Sequence, residues 1–175
     1  LVGSEMCIRD SVVVVSIAYR LNVFGFFAHA MLEKEAVDGR PCANFGFLDQ
    51  RMGIQWVKDN IALFGGDPAN ITVFGQSAGA ASALAQSVSP MNDGLFQRVI
   101  MQSGGGTGLF NRHLWSLEDA QRNGARFLKY LEVESIAEAR SVPATDLLEA
   151  AVTFPACDWS GQGDDCLLYT SDAAD

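Results

Sequence analysis

The 175-residue chain has little positive charge and no long apolar run. It carries 12 Lys and Arg against 21 Asp and Glu, which gives a formal charge of -9. It therefore lacks a basic stripe that could hold a phosphate backbone, which argues against a nucleic-acid partner. The apolar run that starts at Val12 ends at Tyr19-Arg20, well short of the roughly 20 residues that a membrane-spanning helix needs. We expect no integral membrane segment in this piece.

Cysteines are few, and two of the four lie in end segments with an unusual composition. Residues 1–11 and 166–175 resemble translated adaptor sequence, so we expect the domain to occupy residues 12–165. The other two cysteines, Cys42 and Cys157, lack the close spacing of a zinc or Cys-x-x-Cys site. Two free thiols are the simplest interpretation. A disulfide between them, or from either to another segment, stays open.

The composition that is present, 49% hydrophobic and 10% aromatic, is typical of a folded globular domain. Uncharged β-branched runs alternate with helical periods, which predicts βαβ units. The fold class is therefore α/β, with a mostly parallel sheet and flanking helices. The predicted strands are residues 12–19, 71–74 and 98–102, of which the first two are expected to be buried. The predicted helices are residues 47–64, 78–87, 117–131, 136–140 and 146–152, the last three in a peripheral layer.

The first predicted helix has a broad apolar face. Leu48, Met52 and Trp56 repeat every four residues, with further apolar positions beside them. Gly65 and the proline soon after it end the helix, because glycine tolerates a left-handed C-cap and proline cannot continue the hydrogen-bond ladder. We therefore expect Trp56 to pack in the core.

The residues with the clearest chemistry are Gly75-Gln76-Ser77-Ala78-Gly79, a Gly-x-Ser-x-Gly motif between a predicted strand and a predicted helix. A serine hydroxyl is a poor nucleophile unless it is exposed, near a base and beside donors for an oxyanion. A tight strand-to-helix turn exposes Ser77, with Gly75 and Gly79 removing side chains that would collide. The N–H of Ala78, at the positive end of the helix, is expected to face the oxyanion.

The motif is accompanied by other segments in a characteristic order. They are residues 19–21, 24–26, 44–51, 55–61, 64–68, 71–80, 94–96 and 101–104. Together these segments resemble the type-B carboxylesterase, or cholinesterase-like, family. The match extends over roughly residues 12 to 150, about a quarter of such a domain.

The resemblance implies an α/β-hydrolase fold and the hydrolysis of a small-molecule carboxylic ester through an acyl-enzyme, with no metal or organic cofactor. It implies Ser77 as the nucleophile and the Ala78 N–H as one oxyanion donor. Ser103 would be a supporting hydroxyl near the catalytic acid. A structural ion pair between Arg20 and Asp49 is also implied.

Two departures from the family pattern bear on activity. Gln76 stands where the family usually has glutamate, so a negative charge is missing beside the nucleophile and a cationic choline ester is less suitable. The glycine-rich loop that completes the oxyanion hole would precede residue 12, and the catalytic acid and histidine would follow residue 165. We expect the chain to be an internal fragment with little or no turnover by itself.

A triad within this chain has little support. The required order is serine, acid, histidine, and the only acid and histidine that follow Ser77 in that order are Asp93 and His113. Both have ordinary surface interpretations. His29 precedes the serine, and a packed histidine is the simpler reading.

The sequence is therefore interpreted as part of a serine carboxylesterase. Two alternatives stay open: a non-catalytic cholinesterase-like adhesion or scaffold domain, and a lipase of the same family. The resemblance slightly favours a secreted or endomembrane location.

Overall fold

The computed structural model describes residues 12–36, 43–104 and 116–154. In chain order its elements are α1 (Asn22–Phe26), α2 (Ala30–Glu33), α3 (Phe45–Asn60), β1 (Thr72–Gln76), α4 (Ala78–Val88), β2 (Arg98–Gln102), α5 (Leu117–Tyr130), α6 (Ile136–Ala139) and α7 (Ala144–Thr153). Short 3-10 helices span Ile61–Phe64 and Pro90–Asn92. The described residues form two compact units: the sheet unit, residues 12–19 and 47–104, and the helical unit, residues 20–36, 43–46 and 116–154.

The sheet unit contains a parallel pair of strands. β1 and β2 pair in register from Thr72 with Arg98 to Gln76 with Gln102. Helix α4 connects them through a 3-10 turn and packs against both strands, as a βαβ unit requires. The predicted parallel α/β arrangement is confirmed. β2 has the predicted bounds, while β1 begins one residue later than predicted and extends to Gln76.

Two strand predictions are wrong in detail. Residues 12–19 form no strand, because β propensity alone cannot create one without a ladder partner, and Val12 is exposed. β1 is not buried on both faces. Phe74 and its register partner Ile100 are 54% and 50% exposed, since α4 covers only the face to which Gly75 belongs.

Helix α3 ends as predicted but presents its apolar residues differently. It continues into the 3-10 turn and stops at Gly65, whose φ of 81° is the left-handed C-cap conformation. Ile54 is buried, whereas Trp56 is 48% exposed and contacts Phe64 at 5.8 Å between ring centroids. The expectation that Trp56 packs in the core is wrong, because a helix that is apolar around much of its circumference buries only the face that a neighbour covers.

The helical unit is built around aromatic side chains. One cluster comprises Val23, Phe127, Ala151 and Phe154, and a second comprises Leu32, Leu128 and Ile136. Phe27 packs against both clusters. The three helices predicted in the second half of the chain are confirmed, with α7 beginning two residues early.

Serine side chains begin two of these helices. Ser116 accepts from the Asp119 N–H at the start of α5, and Ser135 accepts from the Glu138 N–H at the start of α6. Each bond satisfies a donor that the first turn of a helix leaves without a partner. Within the described residues, no helix is long and apolar enough to cross a bilayer.

Candidate functional site

Ser77 occupies the turn between β1 and α4. It is exposed, and its φ of 52° and ψ of -114° lie in a region that residues with a side chain rarely adopt. Such a conformation persists only when surrounding contacts enforce it. The turn thus projects a strained serine from the carboxyl edge of the sheet.

Hydrogen bonds hold the Ser77 main chain in this conformation. Its N–H donates to the carbonyl of Gln102, the last residue of β2, at 2.8 Å, and its carbonyl accepts from the Ala81 N–H at 3.1 Å. The Ser77 side chain makes no capping bond to α4. The backbone is therefore fixed by β2 and by the first turn of α4, while the hydroxyl is not used as a cap.

The glycines around Ser77 play unequal steric roles. A Cβ on Gly75 would overlap the backbone carbon and oxygen of Gly79, so this position requires glycine. A Cβ on Gly79 would meet no described atom within 4 Å. The predicted collision is confirmed for Gly75 and is wrong for Gly79, because the crowding is between the Gly75 side-chain direction and the Gly79 backbone.

Ala78 is the first residue of α4. The N–H groups of the first helical turn have no acceptor within the helix, and the helix dipole places partial positive charge there. The Ala78 residue is buried. The Ala78 N–H therefore has the character of an anion-binding donor, and its role in catalysis is taken up as a proposal below.

The other predicted site residues lie at the same edge of the sheet. Gln76 ends β1, is exposed and pairs in register with Gln102. Ser103 follows β2 directly, is exposed and has a φ of 53°. Parallel strands end at a common edge, so Gln76, Ser77 and Ser103 all lie at the carboxyl ends of this pair.

His29 is a packed residue of the helical unit, as its simpler interpretation predicted. It is 8% exposed, stacks on Phe27 at 6.1 Å between ring centroids, and accepts the Met31 N–H at Nδ1 at 3.0 Å. Burial lowers the pKa of this imidazole. The Nδ1 atom of His29 thus caps α2.

The remaining predictions are not settled by these contacts. Asp93 is exposed in the turn after Pro90–Asn92, and His113, Cys42 and Cys157 lie outside the described residues. The ion pair of Arg20 with Asp49 stays a prediction. Within the described chain, no cluster of His, Cys, Asp or Glu could hold a metal ion.

A buried amide network behind the site was not foreseen. The Gln86 amide donates to the Phe47 carbonyl at 2.9 Å and to Gln50 Oε1 at 3.0 Å, and its own Oε1 accepts from Asn92 at 2.7 Å. The Gln50 amide donates to the Ser82 hydroxyl at 3.1 Å. This network ties α4 to α3 and to the turn before β2. The feature of the sequence that indicates this network is Gln86, a polar residue on the otherwise alanine-rich buried face of α4.

The chain is similar to known esterases and lipases. A model of the carboxylesterase family matches residues 1–165. Para-nitrobenzyl esterase of Bacillus subtilis is 40% identical over 151 residues, 85% of this chain and 29% of that protein. Bile salt-activated lipase of Mus musculus is 50% identical over 102 residues, 58% of this chain and 16% of that protein. The chain thus spans less than a third of the length of either relative.

Solved structures give the same answer. A carboxylesterase of Geobacillus stearothermophilus matches with a TM-score of 0.73 and 41% identity, over 87% of this chain and 31% of that one. A thermophilic PNB esterase matches with a TM-score of 0.73 and 39% identity, over 86% of this chain and 29% of that one. These neighbours confirm the α/β-hydrolase fold. The chain belongs to the carboxylesterase family.

Proposed function

We propose that the protein containing this chain hydrolyses carboxylic esters and that Ser77 is its nucleophile. The observation that carries the proposal is the strained, exposed conformation of Ser77 between β1 and α4, enforced by the bond to Gln102. Strained residues cluster at functional sites because the surrounding fold must support them. Membership of the carboxylesterase family supports the same reaction.

The reaction would proceed through two acyl transfers. Ser77 Oγ attacks the ester carbonyl while a base takes its proton, and the C–O bond to the alcohol breaks as the alcohol leaves with a proton. Water then attacks the acyl-enzyme, releasing the acid and restoring the serine hydroxyl. The Ala78 N–H donates to the oxyanion in both steps. The base and its acid partner are expected outside the described residues.

The substrate class follows in part from the neutral residue before the nucleophile. Gln76 contributes no negative charge, so the site has no carboxylate at that position to attract a cationic alcohol group. We propose uncharged esters as preferred substrates. The Mus musculus relative is a bile salt-activated lipase, so an acyl-chain series tests esterase against lipase preference.

The test uses protein expressed from the full-length transcript. Wild type and Ser77→Ala are treated with a fluorophosphonate probe and assayed on nitrophenyl esters of increasing acyl length. Ser87→Ala is the matched control, because Ser87 is an exposed serine in the last turn of α4, the helix that Ser77 precedes. We expect Ser77→Ala to lose labelling and to lose turnover by about 10⁴-fold or more, as other serine nucleophiles do. Ser87→Ala should retain both.

A different outcome would favour the alternative function. If the full-length protein folds but neither labels nor hydrolyses any ester of the series, the catalytic proposal is wrong. The cholinesterase-like adhesion or scaffold domain then takes its place. Retained labelling in folded Ser77→Ala would instead place the nucleophile elsewhere in the protein.

A further inference from the structure

The last residue of β2 and the segment after it lie against the main chain of Ser77 at two points. The Gln102 carbonyl accepts the Ser77 N–H at 2.8 Å. Gly104, two residues later, lies against the other side of the same residue: a Cβ built on it would be 2.8 Å from the Ser77 carbonyl oxygen and 2.9 Å from the Ala80 Cβ. Side chains almost never approach a carbonyl oxygen this closely, so the close packing depends on the absence of a side chain at position 104.

Ser103 turns the chain so that this contact is made. Its φ of 53° is positive, as is the φ of 52° at Ser77. An L-residue adopts such a value only where the surrounding structure requires it. Two unfavourable conformations thus occur where the segment after β2 meets the elbow, the strand-to-helix turn of residues 75–79, and Gly104 leaves no room for a side chain between them.

The contact matters because of peptide planarity. The Ser77 carbonyl and the Ala78 N–H belong to one planar peptide unit, and they point in opposite directions. A shift of the carbonyl therefore turns the N–H by the same rotation. Whatever fixes the Ser77 carbonyl also fixes the proposed oxyanion donor.

We propose that Gly104 is a positioning residue for the reaction: it lets the end of β2 pack on the Ser77 carbonyl and so holds the Ser77–Ala78 peptide with its N–H toward the oxyanion. This inference rests on the proposed function, because it assigns a role within that same site. A side chain at position 104 pushes the carbonyl aside and turns the donor away. The effect falls on the transition state, where the negative charge develops, more than on substrate binding.

The test is Gly104→Ala in the full-length protein, with kcat and KM measured separately on a nitrophenyl ester. We expect kcat to fall by about 10²-fold, the usual effect of losing one oxyanion donor, and KM to change by less than about 3-fold. The rate constant for fluorophosphonate labelling should fall with kcat. Gly104→Ala with wild-type kcat, or a loss confined to KM, would overturn the inference.

Gly66→Ala is the matched control for general destabilisation. A Cβ on Gly66 would lie 2.6 Å from Ile61 Cγ1, so it also creates a close contact in the sheet unit, but in the loop before β1 rather than at the elbow after it. We expect Gly66→Ala to lower the Tm and to leave kcat within about 3-fold of wild type. An equal fall in kcat for both variants at equal Tm would make the role of Gly104 merely structural.

A double variant separates the two contacts of Gly104. Ala80→Gly removes the methyl group near position 104 and leaves the Ser77 carbonyl in place. In Gly104→Ala/Ala80→Gly we expect the Tm to recover relative to Gly104→Ala alone and kcat to stay low. Full recovery of kcat would show that crowding of Ala80 was responsible, and would overturn the inference. If Gly104→Ala does not fold, the double variant supplies the same comparison.

The two proposals fail in different ways. A folded wild-type protein without labelling or turnover overturns the proposed function and this inference with it. An active wild type with a fully active Gly104→Ala overturns the inference alone.

Discussion

Different kinds of interaction stabilise the interior of the sheet unit and the interior of the helical unit. Around α4 the buried residues are small or polar, such as Ala80, Ala81 and Gln86, and the contacts are directional hydrogen bonds and backbone packing. The helical unit buries large rings, with Phe127 and Phe154 in edge contact at 5.4 Å between centroids. Directional contacts fix atomic positions, whereas aromatic burial supplies area-dependent free energy. The contacts around α4 thus fix the positions of backbone atoms near Ser77, whereas aromatic burial contributes most to the stability of the helical unit.

The largest expected effect is in the aromatic core. Phe127 is 2% exposed, so Phe127→Ala should lower the free energy of unfolding by about 3–5 kcal/mol through lost burial and a cavity. Val152→Ala is the control, because Val152 is 70% exposed in the same unit, and should change it by less than about 0.5 kcal/mol. Urea unfolding measures both. Similar small effects from the two variants would remove the contrast between the units.

A second pair of variants tests the steric asymmetry of the elbow. Gly75→Ala places a methyl group into the Gly79 backbone and should lower the free energy of unfolding by about 3 kcal/mol, since backbone cannot rotate away. Gly79→Ala should cost little, because alanine is favoured within a helix by about 0.5–1 kcal/mol over glycine. Thermal unfolding of both variants decides the point. Equal destabilisation would mean that the elbow is crowded at both glycines.

The amide network gives an intermediate effect. Gln86→Met keeps the side-chain volume but removes the donor to Gln50 Oε1 and to the Phe47 carbonyl, and one of the two acceptors of the Asn92 amide, so we expect a loss of about 2 kcal/mol. Ser87→Ala on the exposed side of the same helix should be neutral within about 0.5 kcal/mol. If urea unfolding shows Gln86→Met to be as stable as wild type, directional bonds do not define the sheet unit.

The smallest effect is a pH dependence in the helical unit. Burial lowers the folded-state pKa of His29 below about 6.5, its ordinary value, so protonation favours the unfolded chain. The stability of the neutral form is fully present above about pH 6.5 and is lost as the pH falls below it. Asparagine keeps an N-capping oxygen, so His29→Asn should weaken this dependence. Tm values between pH 7.5 and 5.5 measure it, and an unchanged slope would contradict the assignment.

The sequence predicted the elements whose signals are local. The β-branched residues of β2 and the alanine-rich run of α4 each specify one conformation, and the Gly-x-Ser-x-Gly motif falls between a strand and a helix as its mechanism requires.

The remaining features depend on partners that a sequence does not name. Apolar periodicity shows which faces of α3 are apolar but not which of them a neighbour covers, so Trp56 was misplaced. Residues 12–19 have strand propensity, and a strand also needs a ladder partner. The Gln86 network was missed because glutamine is equally compatible with a solvated face.

The bond from Ser77 to Gln102 has a consequence for biosynthesis. A ribosome adds Ser77 before it adds Gln102, so for part of its synthesis the elbow lacks the carbonyl that holds it. Without that partner the serine relaxes to an ordinary backbone conformation. The projecting conformation is therefore acquired only when β2 has emerged and docked beside β1.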